Sequence, residues 1–267
     1  MIYMLIFAVI IVAIGRMYFN SPSAKGKRSE KAVAAKLEID RFWMHEGRIL
    51  TNIYIPKKFG ETTEADVVYI TRKGLIVVEN KNYAGYIFGN ELNKNWTVTL
   101  YAGKTWYGGN KVEKYHFYNP VWQNRTHIKY LNRYLGDNLK AFSLISFSDR
   151  GELKDITISS ADVYICNHSK ISSVIRNIYG ENADVLTSEQ IDEIYYKLLP
   201  LTEVGKDVKQ KHIDNVQYGI YEDGIISECP VCGSKLVLRT ARKGANAGNQ
   251  FYGCSNYPRC KYTRSIY

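Results

Sequence analysis

The sequence predicts an α/β fold for the body of this chain, with an apolar segment before it and a four-cysteine module after it. Three observations lead to that prediction. Short runs of β-branched residues alternate with stretches whose apolar residues recur at helical spacing, as in a sheet covered by helices. The first 15 residues contain no charged side chain. Four of the five cysteines lie at or beyond position 229, at spacings typical of a metal site.

The composition sets limits on the function. With 267 residues, 45% of them hydrophobic, the chain is long enough for one medium domain and a small module, and its composition excludes extensive disorder. The formal net charge of +10 indicates a polyanionic partner. Nucleic acid and the anionic face of a membrane both meet that description, and charge alone does not separate them.

Residues 1–19 form the apolar segment, and we expect them to be a transmembrane anchor. The alternatives are a cleaved signal peptide and a buried core helix. The segment lacks the basic start and small-residue cleavage site of the former and the polar positions of the latter. Arg16, Lys25 and Lys27 follow the apolar run. By the positive-inside rule, this predicts a single-pass membrane protein with its N-terminus outside and its folded parts in the cytoplasm.

The body of the chain is predicted at residues 29–200, after a Ser-, Gly- and Lys-rich linker at residues 20–28. Ser29 is expected to cap a first helix. Clusters of β-branched and aromatic residues predict strands at residues 49–56, 66–71, 75–81, 86–88, 96–101, 141–147 and 162–167. Helical spacing predicts helices at residues 120–135, ended by Gly136, and 188–199, ended by Pro200. Residues 201–227 are interpreted as a charged, weakly patterned connector.

Two carboxylates and a lysine converge in the predicted hairpin of residues 66–81. A turn centred near Lys73 pairs residues whose numbers sum to about 145 or 146, which puts Asp66 opposite Glu79 or its neighbour. Glu79 and Lys81 are two positions apart on one strand and therefore face the same side. The sequence thus predicts that these three side chains meet at one end of the hairpin.

This trio has the groups that phosphodiester hydrolysis requires. Two carboxylates can bind a hard divalent cation, which activates a water and neutralises charge on the phosphate, and the lysine can stabilise developing charge. The alternative is an ordinary ion-paired strand end in solvent. The continuous apolar run at residues 75–78 counts against it, because a strand buried on both faces places those charges where desolvation is costly.

Residues 29–135 resemble the nuclease-related domain (NERD) family of the PD-(D/E)xK superfamily. The resemblance rests on SEK at residues 29–31, EADVV at residues 64–68, GLIVVENKNYAG at residues 74–85, and NPVWQN at residues 119–124 with His127 and Leu131. It implies a restriction-endonuclease-like core with five site residues: an acidic group from the first helix (Glu30), two Mg²⁺ ligands (Asp66 and Glu79), the catalytic lysine (Lys81) and a glutamine near the site (Gln123).

Helical spacing independently supports a polar stripe on the second predicted helix. Gln123, His127, Tyr130 and Tyr134 fall on one face of it, where they could line a phosphate-binding cleft. For His127 and the two tyrosines, an ordinary solvated helix face is an equal alternative. Gln123 is therefore the one residue of the stripe that we assign to the site.

Residues 228–267 are predicted to form a zinc ribbon. Cys229 and Cys232 are spaced as C-x2-C, and Cys254 and Cys260 as C-x5-C, around a strand–turn–strand pattern. Four thiolates suit tetrahedral Zn²⁺, and the metal stabilises a segment too small for a core of its own. Because cysteine occupies all four positions, this Zn²⁺ is expected to be structural. Cys166 stands alone in an apolar strand and is expected to be a buried residue.

The same segment resembles the C-terminal zinc ribbons of bacterial type IA topoisomerases, above all in FYGCSNYPRC at residues 251–260. The resemblance implies binding of single-stranded DNA. The composition agrees, because cations and aromatic rings alternate there without an acidic residue. The predicted nucleic-acid-binding residues are Lys235, Arg239, Arg242, Lys243, Phe251, Tyr252, Tyr257, Arg259, Lys261 and Tyr262. Protein contacts are the alternative use of such a ribbon.

Together these observations predict a membrane-anchored, Mg²⁺-dependent nuclease that acts on DNA and holds it with the zinc ribbon. A nucleic-acid-binding protein that keeps the fold without cleaving is the second hypothesis, and a membrane-surface scaffold is the third. The carboxylate–lysine trio favours the first, because a binding protein has no need of a carboxylate pair facing a phosphate. The acid-free, aromatic-rich ribbon disfavours the third.

Overall fold

The computed structural model describes residues 22–57, 61–104 and 110–218, and in the C-terminal module residues 229, 231–232, 234–241, 243, 248 and 250–265. The predicted anchor at residues 1–19 lies outside these ranges. No helix within them is long and apolar enough to cross a membrane.

The body contains both helices and strands, with six consecutive strands between its first two helices, and the described part of the C-terminal module contains three strands. The helices of the described chain are α1 (Pro22–Met44), α2 (Pro120–Leu135), α3 (Ile171–Glu181), α4 (Ser188–Leu198) and α5 (Lys206–Tyr218). Its strands are β1 (Arg48–Pro56), β2 (Thr62–Thr71), β3 (Gly74–Lys81), β4 (Gly85–Asn90), β5 (Asn95–Lys104), β6 (Asn110–Tyr118), β7 (Ala141–Phe147), β8 (Gly151–Thr157), β9 (Val163–Asn167), β10 (Leu236–Thr240), β11 (Gln250–Cys254) and β12 (Thr263–Ser265).

The main sheet has five strands in the order β1-β2-β3-β7-β9. Strand β2 is antiparallel to both of its neighbours, β1 and β3, whereas β3, β7 and β9 run parallel to one another. The central strand β3 is buried from Gly74 to Glu79. This confirms the predicted burial on both faces, because helices cover the sheet on each side.

Helices α2 and α4 cover one face of the main sheet, where Leu131 and Ile194 pack against residues of β1, β2 and β3. Helices α1 and α3 cover the other face, where Leu37 and Ile175 contact β2, β3, β7 and β9. The result is a sheet between two helical layers. The predicted mixed α/β fold is confirmed.

A second, four-stranded sheet in the order β6-β5-β4-β8 begins directly beyond the end of β3. Its inner face contributes Ile87 and Trp96 to a separate core with Phe147 of β7. Strands β6 and β8 were not predicted, because most of their residues are exposed and polar residues interrupt their apolar pattern. The predicted strands at residues 86–88 and 96–101 are confirmed as β4 and β5.

The ends of α2 agree with the sequence prediction. The side chain of Asn119 accepts hydrogen bonds from the backbone N–H groups of Val121 and Trp122, and a proline occupies the first turn. Gly136 has a φ of +76° and closes the helix in the left-handed conformation that glycine adopts readily. Asn124, buried within α2, donates to the Val77 carbonyl oxygen and so fastens this helix to β3.

The start of α1 differs from the prediction. The helix begins at Pro22, so residues 22–28 are helical rather than a linker, and Ser29 lies inside the helix instead of capping it. The Ser-, Gly- and Lys-rich composition of residues 20–28 is typical of a linker, which is why the start of the helix was not predicted. Proline in the first turn is nevertheless compatible with a helix. Likewise, the predicted connector at residues 201–227 contains α5.

Strands β10, β11 and β12 form the three-stranded antiparallel sheet of the C-terminal module. Its small core contains Leu236, Tyr262 and three of the four clustered cysteines, and it includes Trp122 of α2. The ring centroids of Trp122 and Tyr262 are 5.4 Å apart. The C-terminal module therefore packs directly on the first turn of α2.

Candidate active site and zinc centre

The hairpin of β2 and β3 has the register that the sequence predicts. Val67 pairs with Val78 and Val68 with Val77, so paired residue numbers sum to 145. The next position in this register places Asp66 opposite Glu79. There the regular pairing stops, and Oδ2 of Asp66 accepts a hydrogen bond of 2.7 Å from the backbone N–H of Asn80.

The neighbouring strand β1 is irregular beside Asp66. Thr51 pairs with Val67 and Ile53 with Ala65, while Asn52 between them adopts a φ of +53°. Leu50 and Ile53 are an odd number of positions apart, yet both face the same core. The side-chain alternation therefore reverses at Asn52. In a regular strand, residues an odd number of positions apart face opposite sides of the sheet. The irregularity at Asn52 therefore lies beside the position where Asp66 no longer takes part in regular strand pairing.

Glu79 lies at the centre of a hydrogen-bonded chain and is 2% exposed. Its Oε1 is 2.7 Å from Nζ of Lys81, and its Oε2 is 3.1 Å from Nε2 of His127. Lys81 also donates to Oε1 of Gln123 at 2.9 Å, and Nδ1 of His127 lies 2.7 Å from Oγ1 of Thr63. Strands β2 and β3 and helix α2 thus hold one continuous polar network.

The two carboxylates differ in their electrostatics. Burial and the nearby charge of Glu79 raise the pKa of Asp66 well above its ordinary value. Burial also acts against ionisation of Glu79, but Lys81 and the hydrogen bond with His127 outweigh it and lower the pKa of Glu79. In the same way Glu79 outweighs burial and raises the pKa of Lys81. The network therefore contains an ionised pair, Glu79 and Lys81, beside Asp66, whose negative charge is only partly compensated by the Asn80 N–H and by Lys81.

Glu30 approaches this network from α1. Its pKa is raised, first by burial and then by the charges of Glu64 and Glu79. The structure therefore brings Asp66, Glu79, Lys81 and Gln123 together, and Glu30 lies close enough for its charge to raise the pKa of Asp66. It adds Thr63, His127 and Glu64 to them. The spacing of Glu64 and Asp66, two positions apart on β2, was the available signal for Glu64.

Helix α5 contributes a further residue that the sequence analysis missed. Nε2 of His212 lies 3.7 Å from Oε2 of Glu64, and its Nδ1 lies 3.2 Å from Oγ1 of Thr62. Its ring also makes an edge contact with Tyr54. Because residues 201–227 were interpreted as a connector, nothing indicated that a histidine from this segment reaches the edge of the site.

The predicted polar stripe of α2 divides between two environments. Gln123 and His127 belong to the site network, and His127 is only 3% exposed. Tyr130 and Tyr134 pack against the core between α2 and the sheet. The two tyrosines are therefore partly buried, and their place in a phosphate-binding cleft stays a prediction.

The chemistry of Asp66 and Glu79 fits a divalent cation. Carboxylate oxygens are the ligands that Mg²⁺ prefers. Burial and the negative charge of Glu79 raise the pKa of Asp66, and a bound cation would compensate the negative charges of both carboxylates. The side chain of Asn80 turns elsewhere, with Oδ1 accepting from Oγ of Ser29 at 3.2 Å and lying 2.7 Å from Nε2 of His168.

The cysteine cluster fits a structural zinc ion. Sγ atoms of Cys229, Cys232, Cys254 and Cys260 all lie within 4.8 Å of one another, the one cluster of metal-binding groups of this kind in the described parts of the chain. Tetrahedral Zn²⁺ with four sulfur ligands needs separations of about 3.8 Å. Those of Cys229–Cys260 and Cys232–Cys254 are 3.7 and 3.4 Å. Although burial opposes it, hydrogen bonds with Ser234 lower the pKa of Cys232 to about 7, which favours the thiolate that binds metal.

Most of the predicted nucleic-acid-binding residues lie on the surface of the ribbon. Exposed are Lys235, Arg239, Lys243, Tyr257, Arg259 and Lys261, and partly buried are Phe251 and Tyr252. The guanidinium of Arg239 lies 5.8 Å from the ring centroid of Tyr257. Arg242 lies outside the described residues. For Tyr262 the prediction is wrong, because its ring is 9% exposed and packs on Trp122, which leaves no face for a base.

Two family models match this chain in separate segments. A model described as a nuclease-related domain (NERD) matches residues 25–148, and one described as a topoisomerase DNA-binding C4 zinc finger matches residues 226–267. No solved structure gives a significant match.

The similar proteins cover very different shares of this chain. An uncharacterized protein of Bacillus anthracis is 29% identical over 219 residues, which are 78% of this chain and 94% of the relative. DNA topoisomerase 1 of Archaeoglobus fulgidus is 43% identical over 49 residues, 18% of this chain and 7% of the topoisomerase. That of Methanocaldococcus jannaschii is 58% identical over 38 residues, 14% of this chain and 4% of the topoisomerase. The chain therefore spans only a small part of these topoisomerases. It carries a nuclease-related domain followed by a topoisomerase-type C4 zinc ribbon, and both resemblances predicted from its motifs are confirmed.

Proposed function

We propose that this protein is a metal-dependent nuclease that acts on DNA and is held at a membrane by residues 1–19. The observation that carries the proposal is the network around Glu79. It brings Asp66, Glu79, Lys81 and Gln123 from three elements to one place at the end of the central strand. Charged groups gathered at a buried strand end are costly unless they are paired with one another or bind a ligand.

Each residue of the network has a distinct role in this proposal. Asp66 and Glu79 would hold Mg²⁺, which when bound supplies a Lewis acid beside the scissile phosphate. Lys81 stays protonated because its pKa is raised, so its ammonium can donate to a phosphate oxygen or orient a water. Gln123 accepts a hydrogen bond from Lys81, and His127 holds the second oxygen of Glu79. These two residues are positioning groups.

The ribbon supports DNA as the substrate. Its match is to a DNA-binding zinc finger of topoisomerases, and its exposed cations and the ring of Tyr257 suit phosphates and bases. We propose single-stranded DNA as its ligand, because a base must be unpaired to stack on such a ring. The ribbon packs on Trp122, one residue before Gln123, so DNA bound there lies next to the nuclease-related domain.

A second candidate function is nucleic-acid binding without cleavage. One observation favours it: both oxygens of Glu79 already have partners, Lys81 and His127, so its charge is compensated without any metal. In that case the network stabilises the fold, and the ribbon alone provides the interaction with nucleic acid.

Cleavage assays on the full chain separate the two candidates. The substrates are single- and double-stranded DNA and RNA, each with Mg²⁺, Mn²⁺ or EDTA. Cleavage of DNA is expected with Mg²⁺ or Mn²⁺ and not with EDTA. The variants Asp66→Ala and Lys81→Ala are expected to lower the rate at least about 100-fold, the usual effect of losing one such electrostatic group, while binding of DNA persists.

A matched control shows whether the loss of cleavage is specific to the site residues. Lys154→Ala removes an exposed lysine that is ion-paired with Glu152 on β8, far along the chain from the network. It is expected to leave the rate unchanged. Binding without cleavage under every metal condition would favour the second candidate, and equal loss of activity in Lys154→Ala and Lys81→Ala would refute the assigned role of Lys81.

A further inference from the structure

Helix α1 has an apolar face that nothing in the described chain covers. Its inner face buries Val33 and Leu37 against the main sheet. On the opposite side, Ile39, Phe42 and Trp43 are 57%, 65% and 71% exposed. Such large apolar side chains are individually common on surfaces, but three on one helix form a patch that indicates a partner.

The patch continues towards the start of the helix as a stripe. Ala32 and Ala35 are exposed as well, and the steps from 32 to 35, 39 and 42 alternate between three and four residues. At 100° per residue these positions share one side of the helix. We name the five residues Ala32, Ala35, Ile39, Phe42 and Trp43 the outer stripe. Helix α1 is thus apolar on two opposite sides, and the body of the protein uses only one of them.

The charges beside the outer stripe are mainly positive. Over Pro22–Met44 the sequence has six Lys or Arg and three Asp or Glu. Of the three acids, Asp40 is 7% exposed, Glu30 is partly buried, and Glu38 is ion-paired with Arg41. Lys27 and Lys31, by contrast, are exposed. An apolar stripe bordered by cations, with a tryptophan and a phenylalanine, is the composition of helices that lie in a membrane interface.

We propose that α1 lies flat in the interface of an anionic membrane, with the outer stripe inserted between the lipid headgroups. This adds a second contact to the tether proposed for residues 1–19 and rests in part on that proposal. The two are continuous in the chain, since α1 begins at Pro22. Charge complementarity selects the partner, because exposed lysines attract anionic lipids, whereas a second copy of this basic helix would be repelled. Nucleic acid offers no apolar layer for Ile39 and Phe42.

Quenching of tryptophan fluorescence by brominated lipid tests the proposal on the full chain. Every protein used carries Trp106→Phe, so that Trp43 and the buried Trp96 and Trp122, each 1% exposed, remain. Vesicles contain phosphatidylcholine, with or without phosphatidylglycerol, and brominated phosphatidylcholine. Emission is expected to fall on anionic vesicles, and that loss is expected to disappear in Trp43→Phe. The double variant Lys27→Glu/Lys31→Glu is expected to show less quenching.

A matched control uses the opposite helical layer. In the Trp43→Phe protein, Tyr196→Trp places a tryptophan on α4 at a position whose tyrosine is 66% exposed. It is expected to remain unquenched. Equal quenching at both positions would overturn the proposal, as would unchanged Trp43 emission on vesicles. A shift of Trp43 emission with protein concentration in the absence of lipid would identify a second copy as the partner and also overturn it.

Flotation with the vesicles distinguishes this contact from the tether. A spanning tether keeps the protein on vesicles at high salt, whereas the electrostatic part of the α1 contact weakens as salt screens it. Flotation at high salt combined with loss of Trp43 quenching is therefore expected. Failure to float at high salt, with Trp43 still quenched on anionic vesicles at low salt, would remove the tether and leave the α1 contact standing.

Discussion

Replacement of Asp66 by asparagine is expected to make the protein more stable in the absence of divalent metal. The amide oxygen can still accept the hydrogen bond from the N–H of Asn80, which is 2.7 Å from Oδ2 of the aspartate. The substitution removes burial of a charge and its repulsion by Glu79 and Glu30, the causes of the raised pKa. Lys81 keeps its two other partners, Glu79 and Gln123.

The expected gain in the free energy of unfolding is about 0.5–2 kcal/mol, the usual range for a single stabilising substitution. In urea, with a slope of about 2 kcal/mol per M, the midpoint would move up by about 0.25–1 M. Because the pKa of Asp66 is raised in the folded state, the contribution of Asp66 to wild-type stability falls as pH rises above its unfolded value of about 3.9. The advantage of Asp66→Asn is therefore smallest near that pH and largest at neutral pH.

Magnesium is expected to reverse this difference. Binding to the wild-type site stabilises the folded state by about 2.7 kcal/mol at a concentration 100 times the dissociation constant, and Asp66→Asn loses most of that effect. The assay is urea unfolding followed by circular dichroism, at several pH values, with and without Mg²⁺. Asp155→Asn, on the exposed strand β8, is the matched control and should change neither quantity. An Asp66→Asn protein that is less stable than wild type at neutral pH would refute the reasoning.

Two other perturbations have expected outcomes. His127→Ala leaves Oε2 of Glu79 without its partner and should cost about 1–3 kcal/mol of stability; unchanged urea unfolding would contradict the role of His127. Metal analysis should find about one zinc per chain. Removal of the zinc should unfold the ribbon and expose Trp122, and the fluorescence emission of Trp122 should then shift to longer wavelength. That shift should be absent in Trp122→Phe, and a shift that persists there would assign it to another tryptophan.

The features predicted best from the sequence depend on local patterns. The register of Asp66 and Glu79 follows from one turn, and the bounds of α2 follow from helical spacing and from Gly136. The four cysteines carry their spacing in the sequence itself. In each case the signal lies within a few residues, or in two runs joined by a tight turn, so tertiary structure has little opportunity to override it.

The features that were missed depend on contacts between distant segments. Helical spacing places His127 beside Gln123, but its bond to Glu79, 48 positions earlier, depends on how α2 crosses the sheet. Tyr262 resembles the other aromatic residues of the ribbon, and only its contact with Trp122 distinguishes it. His212 lies on a helix whose composition is mostly polar, so neither the helix nor its contact with Glu64 was evident.

The contact between the ribbon and Trp122 links the position of the ribbon to the position of Lys81. Trp122 and Gln123 are consecutive in α2, so their side chains diverge by about 100° around the helix axis, one towards Tyr262 and the other towards Lys81. A rotation or slide of α2 that accommodated a different module at its first turn would also displace the oxygen that holds the lysine. Ribbon and lysine therefore share a single rigid support, and neither can be repositioned by substitution at that turn without moving the other.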